Sequence, residues 1–409
     1  MIEGWKRTSI GEIGDVVTGT TPATTNSEYY GGDIPFVAPG DLGKTLFVHF
    51  TERTLTAKGL TKAKALPAGA VLFTCIGATI GKSAIAGREL ATNQQINAVI
   101  CNPKKADSTF VYYLLNLRAE EIRRLAGAQA VPIVNKSTFA DVTAPFPPLS
   151  EQLKIAEILR TWDEAIEKLE ALREAIIKRR VWFRSSVLSG CVRLPGFADE
   201  WQEVQLGDVL YEHGTSSNGN DEVYSVSVHK GLINQIEHLG RSFAAANTDH
   251  YNRVLPGDIV YTKSPTGDFP LGIIKQSKID KAVIVSPLYG VFTPETPPLG
   301  VILDAFFESP VTVRNYLHPL VQKGAKNTIA ITNKRFLEGK LFLPRDPEEQ
   351  QALAAVIEAD QQLVRGVEAE IEALQRQKRG LMQKLLTGEW RVALDQDQTE
   401  NIRKEAAHG

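Results

Sequence analysis

Cysteine is scarce in this chain of 409 residues: Cys75, Cys101 and Cys191 are odd in number, far apart and not at metal-ligand spacing. They exclude a disulfide framework or a zinc knuckle and read as small buried apolar residues in a reducing compartment. No stretch approaches the roughly 18 apolar residues of a membrane span, and "MIEGWKRTSI" lacks the apolar core of a signal peptide. The expected location is therefore cytoplasmic, with no membrane partner. Net charge is also small, at −2. Residues 1–149 hold 15 Lys and Arg against 12 Asp and Glu, and residues 191–345 hold 15 against 16. An indiscriminate polycation is excluded, so any nucleic-acid contact must come from charge placement.

Complete catalytic motifs are missing too. "GATIGKS" (Gly77–Ser83) ends like a phosphate-binding loop, but G-x-x-x-x-G-K-[ST] needs glycine at position 76, where Ile76 stands. The following "KSAIAG" reads as a returning strand, whereas a phosphate cradle needs a helix N-terminus there. "FPPL" (Phe146–Leu149) lacks the polar first and aromatic last residues of the amino-methyltransferase loop. It precedes a helix, where prolines act as stop and start signals. The histidines His229, His238 and His250 are scattered, with no metal-ligand pair.

What is present is a repeat. "NKSTFADVTAPFPPLSEQLKIAEIL" (Asn135–Leu159) aligns with "NKRFLEGKLFLPRDPEEQQALAAVI" (Asn333–Ile357) at an offset of 198, so that Asn-Lys and Glu-Gln coincide. The same offset places Leu188-Ser189-Gly190 on Leu386-Thr387-Gly388, and "WKRTSIGEIGDV" from Trp5 matches "WQEVQLGDV" from Trp201. This period is too long for a solenoid and marks a duplicated unit. Two long helices are expected. One follows Pro147-Pro148 with Ser150 as N-cap; the other opens with Asp346 as N-cap, Pro347 at the first helical position and Glu349 completing a capping box. Each stops at a glycine, Gly190 or Gly388. A helix of about 38 residues is about 57 Å long, and its apolar stripe must be covered. The economical partner is the other helix, antiparallel, with a globular domain at each end.

The expected fold is two copies of an α/β (α+β) globular domain separated by two long antiparallel helices in a coiled coil, with an internal pseudo-two-fold repeat. The segments are 1–149 and 191–345 (globular), 150–190 and 346–388 (helical) and a polar tail, 389–409. Short strands are expected at Ala70–Thr74, Asn97–Cys101, Asp258–Thr262 and Ala282–Ser286. Ser108–Gly127 and Ile302–Val321 each read as a single helix.

With the duplication, the two capped rods and "LPGFADEW" between the halves, the chain resembles the specificity subunit of type I restriction–modification enzymes over about residues 1–390. The resemblance implies a DNA-binding subunit without catalysis. Its two target-recognition domains each read half of a bipartite double-stranded target, and its helices set the gap. It also implies partners: two methyltransferase subunits docked on the helices, and motor-endonuclease subunits for restriction. No cofactor is expected on this chain; S-adenosylmethionine, ATP and Mg belong to those partners. The rival readings are a self-contained methyltransferase or nuclease, whose motifs are missing, and a protein-binding scaffold.

Candidate DNA contacts lie on polar loops. Thr20 and Thr21 stand in the hydroxyl-rich run Thr18–Gly32, and Asn93, Gln94 and Gln95 carry amides able to pair bidentately with adenine. Lys82 and Lys263 leave matched hairpins, the second with Thr266. Lys136 ends the loop Gly127–Lys136, whose counterpart Lys323–Lys334 carries Lys326, Asn327 and Lys334; Arg253 ends "NTDHYNR". Each polar residue could instead cap a turn or remain a solvated charge. The basic run Lys178-Arg179-Arg180 with Arg184, like Arg376, Lys378 and Arg379, suits either duplex phosphates or a helix C-terminal dipole, the latter being favoured.

Overall fold

The structure is a computed structural model that describes residues 3–127, 130–239, 248–323 and 329–393. The chain divides into two compact units, Met1–Leu169 with Glu370–Gly409, and Glu170–Ala369. The division falls inside both long helices, so each unit combines one globular stretch with half of each helix.

In the first unit, β1 (Lys6–Ser9) pairs antiparallel with β7 (Thr143–Phe146), tying the start of the globular stretch to its end. Between them a five-stranded sheet runs in the order β2 (Gly14–Thr18), β6 (Ile96–Cys101), β4 (Val71–Thr74), β5 (Ser83–Ala86), β3 (Phe47–Val48). All its pairings are antiparallel except β3 with β5. Alternation along β4 explains why it is wholly buried: Val71 and Phe73 enter one core with Phe110 and Leu114, while Leu72 enters another with Val37 and Ala84. A smaller sheet is built around Tyr30–Val37.

The stretch expected as one helix from Ser108 is two, α1 (Ser108–Leu117) and α2 (Ala119–Arg124). Arg118 leaves helical geometry (φ −95°, ψ 6°) and donates to the Thr143 carbonyl of β7 while pairing with Glu121. A short helix α3 (Lys136–Ala140) is capped by Asn135, which accepts from Thr138 N at 2.8 Å. The first long helix, α4, spans Leu149–Ser186. Ser150 therefore lies within its first turn and is not its N-cap; the Pro148 carbonyl accepts the first amides, from Glu151 and Gln152, at 3.0 Å each.

The second unit repeats this plan. β8 (Gln202–Gln205) pairs with β15 (Lys340–Leu343). A four-stranded sheet runs β9 (Leu210–Tyr211), β14 (Gly290–Pro294), β12 (Ile259–Tyr261), β13 (Ile274–Gln276). The hairpin of β10 (Tyr224–Ser227) and β11 (Gly231–Asn234) forms its own two-stranded sheet, with Tyr224 and Leu232 packed beside Val260 and Val291. The expected single helix from Ile302 is again two, α5 (Pro297–Phe306) and α6 (Pro310–Leu317). Pro310 has no amide to donate and starts the second helix, with Ser309 accepting from Thr312 N at 3.3 Å. After α7 (Asn333–Glu338) comes α8 (Pro347–Leu386). Asp346 accepts from Glu348 N at 2.9 Å and caps α8 as its sequence suggests. Gly190 and Gly388, just beyond the two long helices, both adopt φ +75°.

Glu349 does not close a capping box. Its side chain, 2 % exposed, is gripped by Arg193 through bonds of 2.7, 2.8 and 3.0 Å. In the first unit the repeat-related Glu151, also 2 % exposed, is gripped by Arg391 at 2.7 and 2.9 Å and accepts from the Trp5 indole at 3.1 Å. The adjacent glutamines also act alike. Gln152 donates to the Pro147 carbonyl and accepts from Asp107 N, while Gln350 donates to the Pro344 carbonyl and accepts from the Thr296 hydroxyl.

Each arginine follows the end of one long helix and binds the start of the other. Within the first unit the helix halves accordingly run antiparallel: Leu385 and Leu386 pack with Ile155, Ala156 and Leu159, and Lys378 pairs with Asp163. Within the second, Val187 and Leu188 pack with Leu353, Ala354 and Ile357, and Arg179 pairs with Asp360.

Arg193→Ala should lower unfolding stability by about 3 kcal/mol, because it leaves a buried carboxylate unpaired. Lys340→Ala, which breaks an exposed pair with Glu203, should leave the urea midpoint unchanged. Equal midpoints for the two variants would contradict this account.

Candidate nucleic-acid interface

The stretch "GATIGKS" lies in the hairpin loop between β4 and β5, with Gly77 at φ +88° and Gly81 at φ +104°. The chain returns as a strand at Ser83, so the helix that must follow a nucleotide cradle in sequence is not formed. Instead the loop is held between two others. Cys75 N donates to the Gln95 carbonyl at 2.8 Å, Gly77 N to the Pro132 carbonyl at 2.9 Å, and Val134 N to the Cys75 carbonyl at 2.8 Å. The "FPPL" stretch ends β7 and enters α4, as its stop-and-start reading requires.

Five of the sequence-predicted residues meet here. Thr20 N donates to the Thr92 carbonyl at 2.9 Å, and the Thr21 hydroxyl donates to Gln94 Oε1 at 2.5 Å. Asn93 accepts from Gln95 N at 3.1 Å and donates to Gln95 Oε1 at 3.0 Å. Asn93 thus shapes its own turn, whereas Gln94 is exposed and its oxygen is held by Thr21. Gly19 permits the approach, since a Cβ there would lie 2.2 Å from the Asn93 carbonyl. Lys136, exposed, stands at the first position of α3. Lys82, also exposed, leaves the loop on the side of Gly43, against which its stem lies.

In the second unit the matched hairpin joins β12 to β13. Thr266 and Phe269 exchange backbone bonds of 3.1 and 2.8 Å at its tip. Burial pushes the Lys263 ammonium below the usual lysine range, and the charge of Glu212 pulls it partway back. Glu212 also accepts from Asn333 at 2.5 Å, beside the exposed Lys334. Glu212 is therefore a member of this cluster that no sequence motif marked. Arg253 is half-buried and bound to Asp221 at 2.7 Å. Lys326 and Asn327 lie outside the described residues.

In the basic run of α4, Lys178 is exposed, whereas its three arginines are paired within the chain. Arg180 and Arg184 both bind Glu308, and Arg179 binds Asp360, so carboxylates of the chain itself occupy them. Lys378 likewise binds Asp163 and sits over the Tyr113 ring at 5.0 Å. The cysteines divide: burial pushes the Cys75 thiol up to about 12 and Cys101 to about 11, while Cys191 is exposed rather than buried. Among the described residues no cluster of His, Cys, Asp and Glu could hold a metal, and no helix is long and apolar enough to cross a membrane.

Residues 2–178 match the model of the type I restriction modification DNA specificity domain. The chain is 28 % identical to the type I restriction enzyme MjaIX specificity subunit of Methanocaldococcus jannaschii, over 61 % of this chain and 61 % of that protein. It is 22 % identical to the MjaVIII specificity subunit of the same organism, over 95 % and 94 %. Residues 2–178 are thus similar to the type I restriction–modification DNA specificity domain, and specificity subunits are similar to the chain along most of its length. The chain spans about three fifths of the length of the MjaIX relative. Two solved structures share the chain's fold at 16 % identity. One is the S subunit of the type I restriction–modification system of M. genitalium, with a TM-score of 0.59 over 93 % of this chain and 96 % of that one. The other comes from a study of complex assembly and conformational transition in a type I system, with a TM-score of 0.55 over 95 % and 99 %.

Glu212→Gln keeps an acceptor for Asn333 but removes the charge that raises the Lys263 pKa. The Lys263 titration should therefore move to lower pH, as followed by NMR of methylated lysines. An unmoved or raised titration would show that Glu212 does not act on it.

Proposed function

We propose that this chain reads a bipartite double-stranded DNA target as the non-catalytic specificity subunit of a type I complex. One target-recognition domain (1–149, 191–345) serves each half-site. The helical segments 150–190 and 346–388 pair as an antiparallel coiled coil, set the gap and dock two methyltransferase subunits. Motor-endonuclease subunits join for restriction. S-adenosylmethionine, ATP and Mg act on those partners, in the cytoplasm.

The observation that carries this reading is the duplicated closure, Glu151 with Arg391 and Glu349 with Arg193, in two units of matching plan. A repeated reader on a stiff spacer suits a target with two half-sites at fixed separation. Methylating a base inside a duplex requires extruding it, which needs a partner active site beside each reader. In the first unit the Thr21–Gln94 pair presents an amide of the kind that reads adenine. Lys82, Lys136, Lys263 and Lys334 supply exposed cations for phosphates, and Thr20, Asn93, Gln95 and Thr266 shape the loops that carry them. Arg253 joins only if a phosphate displaces Asp221.

Gel shifts with randomised duplexes, with and without the cognate methyltransferase, test the proposal. A selective complex with two half-sites at one gap is expected; no selective complex under either condition would leave only a scaffold. Lys82→Ala should weaken binding and flatten the slope of log K against log salt by about one; an unchanged slope removes Lys82 from the interface. Inserting four residues into both α4 and α8 adds about 6 Å of helix. At about 3.4 Å per base pair, the gap seen by methylation-site sequencing should lengthen by one or two base pairs, and an unchanged gap contradicts the ruler.

A further inference from the structure

Two buried polar atoms without a hydrogen-bond partner belong to residues that line one cavity of the second unit. Gln361 is 8 % exposed; its Oε1 accepts from the Lys278 ammonium at 2.5 Å, but its Nε2 has no acceptor. Ser277 is 2 % exposed and its hydroxyl has no partner. Buried groups left unpaired destabilise a free chain, and a native structure that keeps them needs a reason.

The repeat supplies an internal comparison. Asp163, at the position of Gln361 in the other half, is satisfied within its own unit by the Tyr113 hydroxyl at 2.5 Å and by Lys378. The helix pair alone therefore does not require an open donor at this position.

The cavity, of about 500 Å³, lies between Gln276–Lys278, the start of α5 at Pro297 and Pro298, and the α8 face from Gln351 to Arg365. One water occupies ~30 Å³ in the liquid, so the space suits something much larger. The fifteen residues of α8 from Gln351 to Arg365 rise by about 21 Å along the cleft. Gln351, Glu358, Gln362 and Arg365 are exposed along it, so its outer side is open. Charge is balanced: Lys278 is neutralised by Asp304 at 3.0 Å, and Arg365 shares the wall with Glu358. A phosphate backbone gains little from such a surface. Neutral acceptors on an elongated occupant, namely main-chain carbonyls, fit both the open donors and the shape.

We infer that this cleft receives an extended segment of the methyltransferase subunit, whose main-chain carbonyls accept from Gln361 Nε2 and Ser277 Oγ. The inference rests on the docking role proposed above for the helices. Gln361→Glu retains an acceptor for Lys278 and replaces the open donor with a carboxylate oxygen, adding one negative charge beside that ammonium; Ser277→Ala removes only the open hydroxyl and adds no charge. Titration calorimetry of the full chain against the cognate methyltransferase should show each variant binding about tenfold more weakly, with a melting temperature no lower than the parent's. Equal affinity of parent and variants overturns the inference and leaves the docking role standing. A parallel fall in melting temperature assigns the two groups to the fold, and a loss of DNA affinity without the methyltransferase assigns the cleft to nucleic acid; either overturns it. Failure of the unaltered chain to bind any methyltransferase removes the docking role and the inference together.

Discussion

A buried carboxylate in the first turn of each long helix is the constraint on which the fold depends. Removing Glu151 or Glu349 from water is unfavourable unless a cation and further donors meet it. The helix N-terminus contributes partial positive charge, and the planar guanidinium of Arg391 or Arg193 contributes a directed, two-toothed bond. Neither arginine belongs to the helix it binds. Each lies beyond the glycine that follows the other long helix, Gly388 or Gly190, at φ +75°. Satisfying the carboxylate therefore brings the tail of one helix to the head of the other. The apolar packing of Leu385 and Leu386, or of Val187 and Leu188, follows from that placement.

The skeleton of this arrangement was readable before any coordinates. Glu-Gln coincided at an offset of 198, and both dipeptides do the same work. The hairpin reading of "GATIGKS" came from local spacing and from the missing helix after it, which coordinates can only repeat. Long-range partnerships were not readable. Arg180 and Arg184 find their carboxylate, Glu308, far along the chain, and a charge run carries no record of such an address. The break at Pro310 carries a local mark, the proline itself, which starts the second helix. The break at Arg118 had no local mark, since its cause is a carbonyl on β7. At the candidate interface, the polar loops were visible as composition. That Thr21 meets Gln94, while Arg253 meets Asp221, depends on pairings that no spacing rule encodes.

Duplication has not left identical halves. Trp5 donates its indole hydrogen to Glu151, whereas the Trp201 indole nitrogen is buried without an acceptor and Arg193 sits over that ring at 5.7 Å. Asp163 is enclosed by Tyr113 and Lys378, whereas Gln361 keeps a donor open. The shared closures hold the common frame while the surfaces around them diverge.

The interleaved sequence of the two units also sets an order of events during synthesis. The second unit, Glu170–Ala369, is one continuous stretch and holds all its own parts once its last residue has been made. The first is completed only when Arg391 reaches Glu151, 240 positions earlier in the chain. At roughly 5–20 residues per second, Glu151 and the apolar side chains beside it wait about 12–48 s for their counterparts. The segment translated first is thus the last to close.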